Sequence, residues 1–259
     1  MASIFDTHAH YDDPAFDDDR AGLIESLPDQ NVCAVVNASS DLETSRRGME
    51  LALKYPFIWA SVGIHPHEAG RAPDDAEQIM RNLLRQPRVV AVGETGLDYH
   101  YDHSPRDVQL DWFERQLKIA GEMDKPVIIH DREAHEDTLR LLKKYRPRGV
   151  VHCFSGSVEM AREVLMLGMY IGLGGAVTFK NAKRPVEVAA MLPDDRLVLE
   201  TDAPYMTPAP FRGARCHSGL ISYTADRIAG IRGIPVDTLL KQTCENACRL
   251  YGISLQSST

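Results

Sequence analysis

A single (β/α)8 barrel (a TIM barrel) over residues 1–259 is the fold this sequence predicts, and three observations predict it. Eight short runs rich in Val, Ile or Ala begin near Ile4, Val32, Ile58, Val89, Val127, Val150, Tyr170 and Leu197, as expected of parallel strands buried on both faces. Longer amphipathic stretches separate them. The chain has 259 residues, near the length of about 250 that such a barrel takes, and no linker, low-complexity tract or charge block divides it. The structural alternative is an open doubly wound sheet. That fold usually carries a Gly-rich phosphate loop after its first strand, and here Asp6-Thr7-His8 stands in that place.

The elements follow in order. The first strand leads to a helix over 20–27. The second precedes a helix over 42–54, which Asp41 can cap, with Thr44 inside its first turn. The third leads to a helix over 76–84. The fourth leads to one over 106–123, started by Ser104-Pro105 with the proline in its first turn. Helices over 136–145, 158–167 and 185–191 follow the fifth, sixth and seventh strands. Two more, over 222–231 and 235–250, come after the eighth. Gly168 and Gly233 fit helix C-caps. The uncharged stretch 164–179 contains Gly168, Gly172, Gly174 and Gly175, and reads as helix end, turn and strand, not as a membrane span.

Composition narrows the function. Hydrophobic residues make up 44% of the chain, enough for a full-sized core, which excludes a disordered or fibrous protein. Lys and Arg number 29 against 37 Asp and Glu, a net charge of −8. A broad basic footprint for nucleic acid is therefore excluded, while a local basic rim or a bound divalent metal is not. The five cysteines are odd in number and scattered, so no disulfide scaffold is expected. Cys244 and Cys248 lack the spacing of a zinc knuckle and read as packed thiols. The first residues show neither a basic start nor an apolar run, so no signal peptide is expected and the protein should be soluble and cytoplasmic.

Barrel active sites lie at the C-terminal ends of the strands. The polar residues expected there are Asp6-Thr7-His8-Ala9-His10, Gly63-Ile64-His65-Pro66-His67, Gly93-Glu94-Thr95-Gly96, Ile129-His130-Asp131-Arg132, Val151-His152-Cys153-Phe154 and Glu200-Thr201-Asp202-Ala203-Pro204. From His8 to Asp202 the seven β/α steps average about 28 residues, near the ~30 of one βαβ unit. Metal-competent side chains thus recur at one height and converge on the barrel axis. The convergent set is His8, His10, Glu94, His130, His152 and Asp202. In His8-Ala9-His10 the two imidazoles share one side, because strand side chains repeat every two residues. Four imidazoles and two carboxylates can hold two divalent ions if Glu94 bridges them. Zn, Mn, Fe, Co or Ni suit such ligands, and Mg, which prefers oxygen, suits them less well. His65 and His67 are open between substrate phosphate, metal and loop ordering. His100, His103 and His135 read as surface or loop-packing residues. Arg132, Lys180, Lys183, Arg184, Arg212 and Arg215 lie on the same face and can rim it with positive charge.

These motifs resemble the TatD family of metal-dependent hydrolases, in the amidohydrolase superfamily. The resemblance runs nearly end to end. It includes Asp6-Thr7-His8-Ala9-His10, Gly63-Ile64-His65-Pro66-His67, Gly93-Glu94-Thr95-Gly96-Leu97-Asp98-Tyr99, Ile128-Ile129-His130, His152-Cys153-Phe154-Ser155-Gly156, Val177-Thr178-Phe179-Lys180-Asn181, Glu200-Thr201-Asp202-Ala203-Pro204-Tyr205 and the closing Asn246-Ala247. It implies a (β/α)8 fold with two divalent ions, one on His8, His10, Glu94 and Asp202, the other on Glu94, His130 and His152. The activity implied is a metal-dependent DNase, often a 3′-5′ exonuclease. Where the family commonly has Arg-Asn-Glu-Pro, this chain has Arg215-Cys216-His217-Ser218. No proposed ligand is lost there; the loop is expected to border the substrate mouth, so substrate range is what the change touches.

The expected reaction is phosphodiester hydrolysis by a metal-activated water, with Asp202 taking its proton, Glu94 setting the ion separation, and His65 and Arg212 steadying a phosphate. The expected partner is nucleic acid, as single-stranded DNA or DNA ends, and a monomer is expected. Two rival readings are ester or amide hydrolysis, as in a D-aminoacyl-tRNA deacylase, and a non-catalytic binding module with structural metals.

Overall fold

The computed structural model describes residues 3–255; Met1 and Ala2, part of the stretch read for a signal peptide, lie outside them. Eight parallel strands form one sheet in chain order: β1 (Ile4–Ala9), β2 (Val32–Asn37), β3 (Ile58–Val62), β4 (Val89–Asp98), β5 (Val127–Arg132), β6 (Gly149–Val151), β7 (Tyr170–Leu173) and β8 (Leu197–Leu199). The helices between and after them are α1 (Arg20–Ser26), α2 (Leu42–Lys54), α3 (Ala76–Leu84), α4 (Arg106–Glu122), α5 (His135–Tyr145), α6 (Val158–Met166), α7 (Lys183–Met191), α8 (Ile221–Arg232) and α9 (Val236–Tyr251). The sheet closes where the chain beyond β8 meets the end of β1. The Asp202 N–H donates to the His8 carbonyl at 2.9 Å, and the His10 N–H to the Ala203 carbonyl at 2.7 Å.

Local sequence explains the helix ends. The Asp41 carboxylate accepts the Thr44 N–H at 2.8 Å while the Thr44 hydroxyl accepts the Asp41 N–H at 2.8 Å, a reciprocal capping box for α2. Gly168 and Gly233 take left-handed φ values of 79° and 66° just past α6 and α8, where a side chain would be strained. Pro105 differs from expectation. It sits at the N-cap of α4, extended with ψ 140°, instead of inside the first turn. The turn before α4 is tied down by Ser104, whose hydroxyl donates to the His67 carbonyl at 2.9 Å.

The barrel interior is filled at its lower end, so that only the upper end is free for polar groups. Phe5, Ala34, Val36, Val90, Ile128, Val150 and Val198 pack inside it, and α9 closes it from below with Ala247, Leu250 and Tyr251. Each large side chain buried in this way stabilises the fold by about 1.5–3 kcal/mol. Ile128→Ala would leave a cavity at the centre and cost about 2–5 kcal/mol.

Two register shifts aim the upper side chains. Between Asp6 and Ala9 of β1 three residue steps face two on β2 (Val35 to Asn37), and between Val92 and Thr95 of β4 three face two on β5 (Val127 to Ile129). An extra residue of this kind bends a strand and re-aims its side chains. The two shifts fall at Thr7-His8 and at Gly93-Glu94. The second needs glycine at two positions: a Cβ on Gly63 would lie 2.4 Å from the Gly93 carbonyl carbon, and one on Gly93 would lie 2.7 Å from the Ile128 carbonyl oxygen of β5.

Candidate metal centre

The six residues expected to converge do so. His8 and His10 come from the end of β1, Glu94 from the shift in β4, His130 from β5, His152 from just after β6 and Asp202 from just after β8. Glu94 is mid-strand, not at a strand end, because β4 continues to Asp98.

Its two carboxylate oxygens face two separate donor sets. On the Oε2 side, His8 Nε2 lies at 3.2 Å and His10 Nε2 at 3.7 Å. The two Nε2 atoms are 3.1 Å apart, and Asp202 Oδ1 lies 3.6 Å from that of His8 and 3.3 Å from that of His10. On the Oε1 side, His130 Nδ1 and His152 Nε2 each lie at 2.8 Å, and His65 Nε2 at 3.4 Å. Donors bound to one ion at about 2.1 Å in a tetrahedron stand about 3.4 Å apart. The first set already has that spacing, and it combines the imidazoles and carboxylates that a borderline divalent cation takes. The donor set therefore fits a metal ion.

Hydrogen bonds on the far side of each ring sort ligands from donors. In the neutral ring His10 Nδ1 donates to the Ala38 carbonyl at 3.1 Å, which leaves the Nε2 lone pair inward. His130 Nε2 donates to Asp98 Oδ2 at 3.0 Å, which leaves Nδ1 inward. His152 Nδ1 faces Glu200 Oε1 at 3.8 Å. His65 is the opposite case. Its Nδ1 accepts the His67 N–H at 3.1 Å, so in the neutral ring Nε2 carries the proton and points inward as a donor. That suits His65 to an anionic substrate oxygen, not to a cation.

Above this floor lies a cavity of about 570 Å³ lined by His10, Asp12, His65, His67, Glu94, Asp98, Tyr101, His103, His130, Arg132, His152, Asp202 and Tyr205, among others. That is within the roughly 300–1,000 Å³ of small-ligand pockets.

A family model described as TatD related DNase matches residues 5–252. The chain belongs to this family. It is 41% identical to a metal-dependent hydrolase named YabD of Bacillus subtilis over 254 residues, 97% of this chain and 100% of that one. It is 30% identical to the protein named 3′-5′ ssDNA/RNA exonuclease TatD of Erwinia tasmaniensis, over 96% of this chain and 100% of the relative. The crystal structure of the TatD homologue YjjV of Escherichia coli superposes with a TM-score of 0.91 at 32% identity, over 97% of this chain and 98% of that one. The protein is a metal-dependent hydrolase of the TatD type, and its barrel is the TatD barrel.

Charge in this TatD-type site is arranged against burial. Burial pushes the His8 and His65 imidazoles down to about 4. It acts the same way on His10, but the hydrogen bond and charge of Asp202, with Glu94 and Asp12, outweigh it and lift His10 to about 10. The Asp98 and Glu94 carboxylates likewise outweigh burial at His130 and lift it to about 9. Burial raises the Glu94 carboxyl, yet His152, His65 and His8 together hold it well below the usual carboxylate range. At Glu200 burial, helped by the charges of Asp202 and Asp6, outweighs His152 and the Cys153 N–H and pushes the carboxyl up to about 8.

The remaining residues fall in different places. Of the six cations read as a rim, Arg132 lines the cavity, Arg215 pairs with Asp19 at 2.6 Å, and Arg212 lies exposed over the Phe179 ring at 3.7 Å. His100 and His135 pair with Glu133 and Asp131 away from the floor. His103, read as a surface or packing residue, lines the cavity, as does Arg47, which the sequence did not single out. Asp98 and Glu200 were also missed as functional residues. Their only signal was membership of the Gly93–Tyr99 and Glu200–Tyr205 runs. The departing segment stands behind the floor, not at the mouth: Cys216 is fully buried, and the Ser218 hydroxyl donates to Asp6 Oδ2 at 2.7 Å.

Proposed function

We propose that this protein is a metal-dependent 3′-5′ exonuclease acting on single-stranded nucleic acid, DNA ends first among its substrates. The observation that carries the reading is Glu94, one carboxylate whose two oxygens face two donor sets under a cavity open to substrate. Two divalent ions would be held here, one by His8, His10, Glu94 and Asp202, the other by Glu94, His130 and His152. Zn, Mn, Co or Ni match the ligands better than Mg. When bound, such ions bring the pKa of a water toward about 7 and neutralise phosphate oxygens.

The chain's own groups do the rest. Asp202, whose side chain is 20% exposed toward the cavity, accepts the proton of the attacking water and passes it to the leaving 3′-oxygen of the shortened strand. His65 donates its Nε2 proton to a non-bridging phosphate oxygen. Arg132 and Arg47 lie on the cavity wall for the next phosphate, and Arg212 serves only a longer strand. Glu94 fixes the spacing of the two sets. The bond broken joins phosphorus to that 3′-oxygen, and the product is a 5′-mononucleotide. Local charge of this kind lets an acidic protein hold a polyanion over few nucleotides, with a shallow salt dependence. We place the protein in the cytoplasm as a monomer.

The test uses single-stranded DNA labelled at either end, with wild type, Glu94→Ala and Asp202→Asn, after chelation and after return of Mg, Mn or Zn. Shortening from the 3′ end that metal restores and both variants lose is the expected result. A folded, metal-loaded wild type that leaves DNA intact and hydrolyses p-nitrophenyl esters would overturn the reading in favour of a carbonyl substrate.

A further inference from the structure

We propose that Tyr101 is the platform on which the base of the 3′-terminal nucleotide stacks, so that the cavity selects an unpaired strand end and not merely a phosphodiester. The inference rests on the nuclease reading above and adds to it what recognises the base.

Tyr101 is a large aromatic residue, 51% exposed, on the wall of the cavity whose floor holds Glu94 and His130. A single exposed aromatic is ordinary on an open surface, but one on the wall of a ligand-sized polar cavity stands where an entering ligand must pass. The Arg132 guanidinium carbon lies 5.0 Å from the ring centroid. The His103 ring lies nearly parallel to it, at 9° and 5.6 Å, and His67 meets it edge-on at 5.6 Å. Aromatic rings with an arginine alongside are what unpaired bases stack on, and the arginine serves the phosphate.

The platform is also held in place. The Tyr101 N–H donates to Asp98 Oδ1 at 2.9 Å, and the other oxygen of the same carboxylate accepts His130 Nε2 at 3.0 Å and His67 Nε2 at 2.9 Å. One buried side chain thus fixes the stacking loop relative to the metal centre. A fixed distance between base and phosphate subsites is what exonucleolytic removal of one nucleotide requires. Tyr205, on the wall nearer His10, is equally exposed, but its hydroxyl donates to Asp13 at 2.9 Å, and a carboxylate there repels a phosphate. A base-paired terminus cannot offer its base to Tyr101 without unpairing.

The experiment compares wild type, Tyr101→Ala and Tyr101→Phe on single strands ending in a normal 3′ nucleotide or in an abasic one. Binding of strands with a phosphorothioate last linkage is followed by fluorescence anisotropy alongside cleavage. Tyr101→Ala should raise KM and Kd roughly five- to hundredfold on normal ends, with kcat nearly unchanged. Tyr101→Phe should restore wild-type values. On abasic ends the three proteins should converge. An equal loss on both ends, or no loss on either, overturns the platform while leaving the nuclease standing. A wild type that neither cuts nor binds any strand overturns the nuclease reading, and the platform falls with it.

Discussion

The two sides of the metal centre hold their imidazoles by different means. On the β1–β8 side the backbone holds the His10 ring, while the His8 ring is held by packing against His152. His10 Nδ1 donates to the Ala38 carbonyl, and the strand-closing bonds Asp202 N–H to His8 and His10 N–H to Ala203 run through the ligands themselves. On the β4–β6 side a carboxylate does it at His130, where Asp98 accepts Nε2, while Glu200, lifted to about 8, stands 3.8 Å from His152 as a carboxyl with no hydrogen bond to it. A carbonyl fixes the orientation of a ring. A carboxylate fixes it and also makes the ring a stronger base and ligand. The β1–β8 side is therefore part of the barrel's closure and changes only with it, whereas the other can be tuned by a single side chain. His8 and His152, stacked at 3.9 Å and 5°, are where the two meet.

The sharpest way to break this comparison is Asp98→Asn. If carboxylate backing sets affinity on the β4–β6 side, one of two ions should bind about 10- to 100-fold more weakly, while the other holds within about twofold. Stepwise Zn or Mn titration of the chelated protein checks this. Tyr101→Ala, which alters the same loop without touching the carboxylate, should leave both affinities unchanged. Equal weakening of both ions by Asp98→Asn would mean that the centre behaves as one unit.

Proton release sharpens the same contrast within each side. His10 and His130, lifted to about 10 and about 9, hold a second proton as imidazolium at pH 7, whereas His8, lowered to about 4, is neutral. A ligand must be deprotonated to bind. Metal uptake at pH 7 should therefore release protons, and apparent affinity should climb as pH rises through about 9 to 10 and then level. Folding carries the opposite sign. Groups whose pKa is raised on folding stabilise the metal-free protein fully below the ordinary imidazole value of about 6.5, and that contribution is lost as pH rises through 9 to 10. Calorimetric metal titrations in two buffers of unlike ionisation heat read the protons directly. Absence of release at pH 7 would show that all four rings present free lone pairs.

How much of this was legible in the sequence follows from what each feature depends on. His8, His10, His130, His152 and Asp202 were found because a strand end and a two-residue period are local properties. The placement of Glu94 was only half visible. Its convergence was expected, but the shift that turns it inward belongs to the pairing of β4 with β5, which no single strand encodes. Asp98 and Glu200 face rings from behind, and a carboxylate four or two residues from a ligand looks in sequence like any other. His103 read as surface because its contact with Tyr101 and His67 is made by a loop. Arg212, expected beside a phosphate, lies over the Phe179 ring at 3.7 Å, a contact made between loops that no local pattern encodes.

Ser218 carries the smallest effect and tests whether the backbone-held side is also the better braced for folding. Asp6, fully buried beneath His8, accepts the Thr201 hydroxyl at 2.6 Å, the Ser218 hydroxyl at 2.7 Å and the N–H groups of Thr201 and His8 at 3.0 and 3.2 Å. The Ser218 N–H in turn donates to the Tyr11 hydroxyl at 2.9 Å. The segment that departs from the family pattern therefore ends in a strut under the first donor set. Ser218→Ala would remove one donor from a buried carboxyl and an acceptor from Tyr11. That costs about 1–3 kcal/mol, and at roughly 2–4 °C per kcal/mol for a chain of this size it lowers Tm by several degrees. Metal affinity on both sides should stay within about twofold, because the strand-closing backbone bonds remain to hold His8 and His10. Thermal unfolding and metal titration of the same variant decide it. A selective loss of one ion would show that the side chains behind β1 set its ligand geometry as Asp98 does for His130, and the contrast between the two sides would disappear.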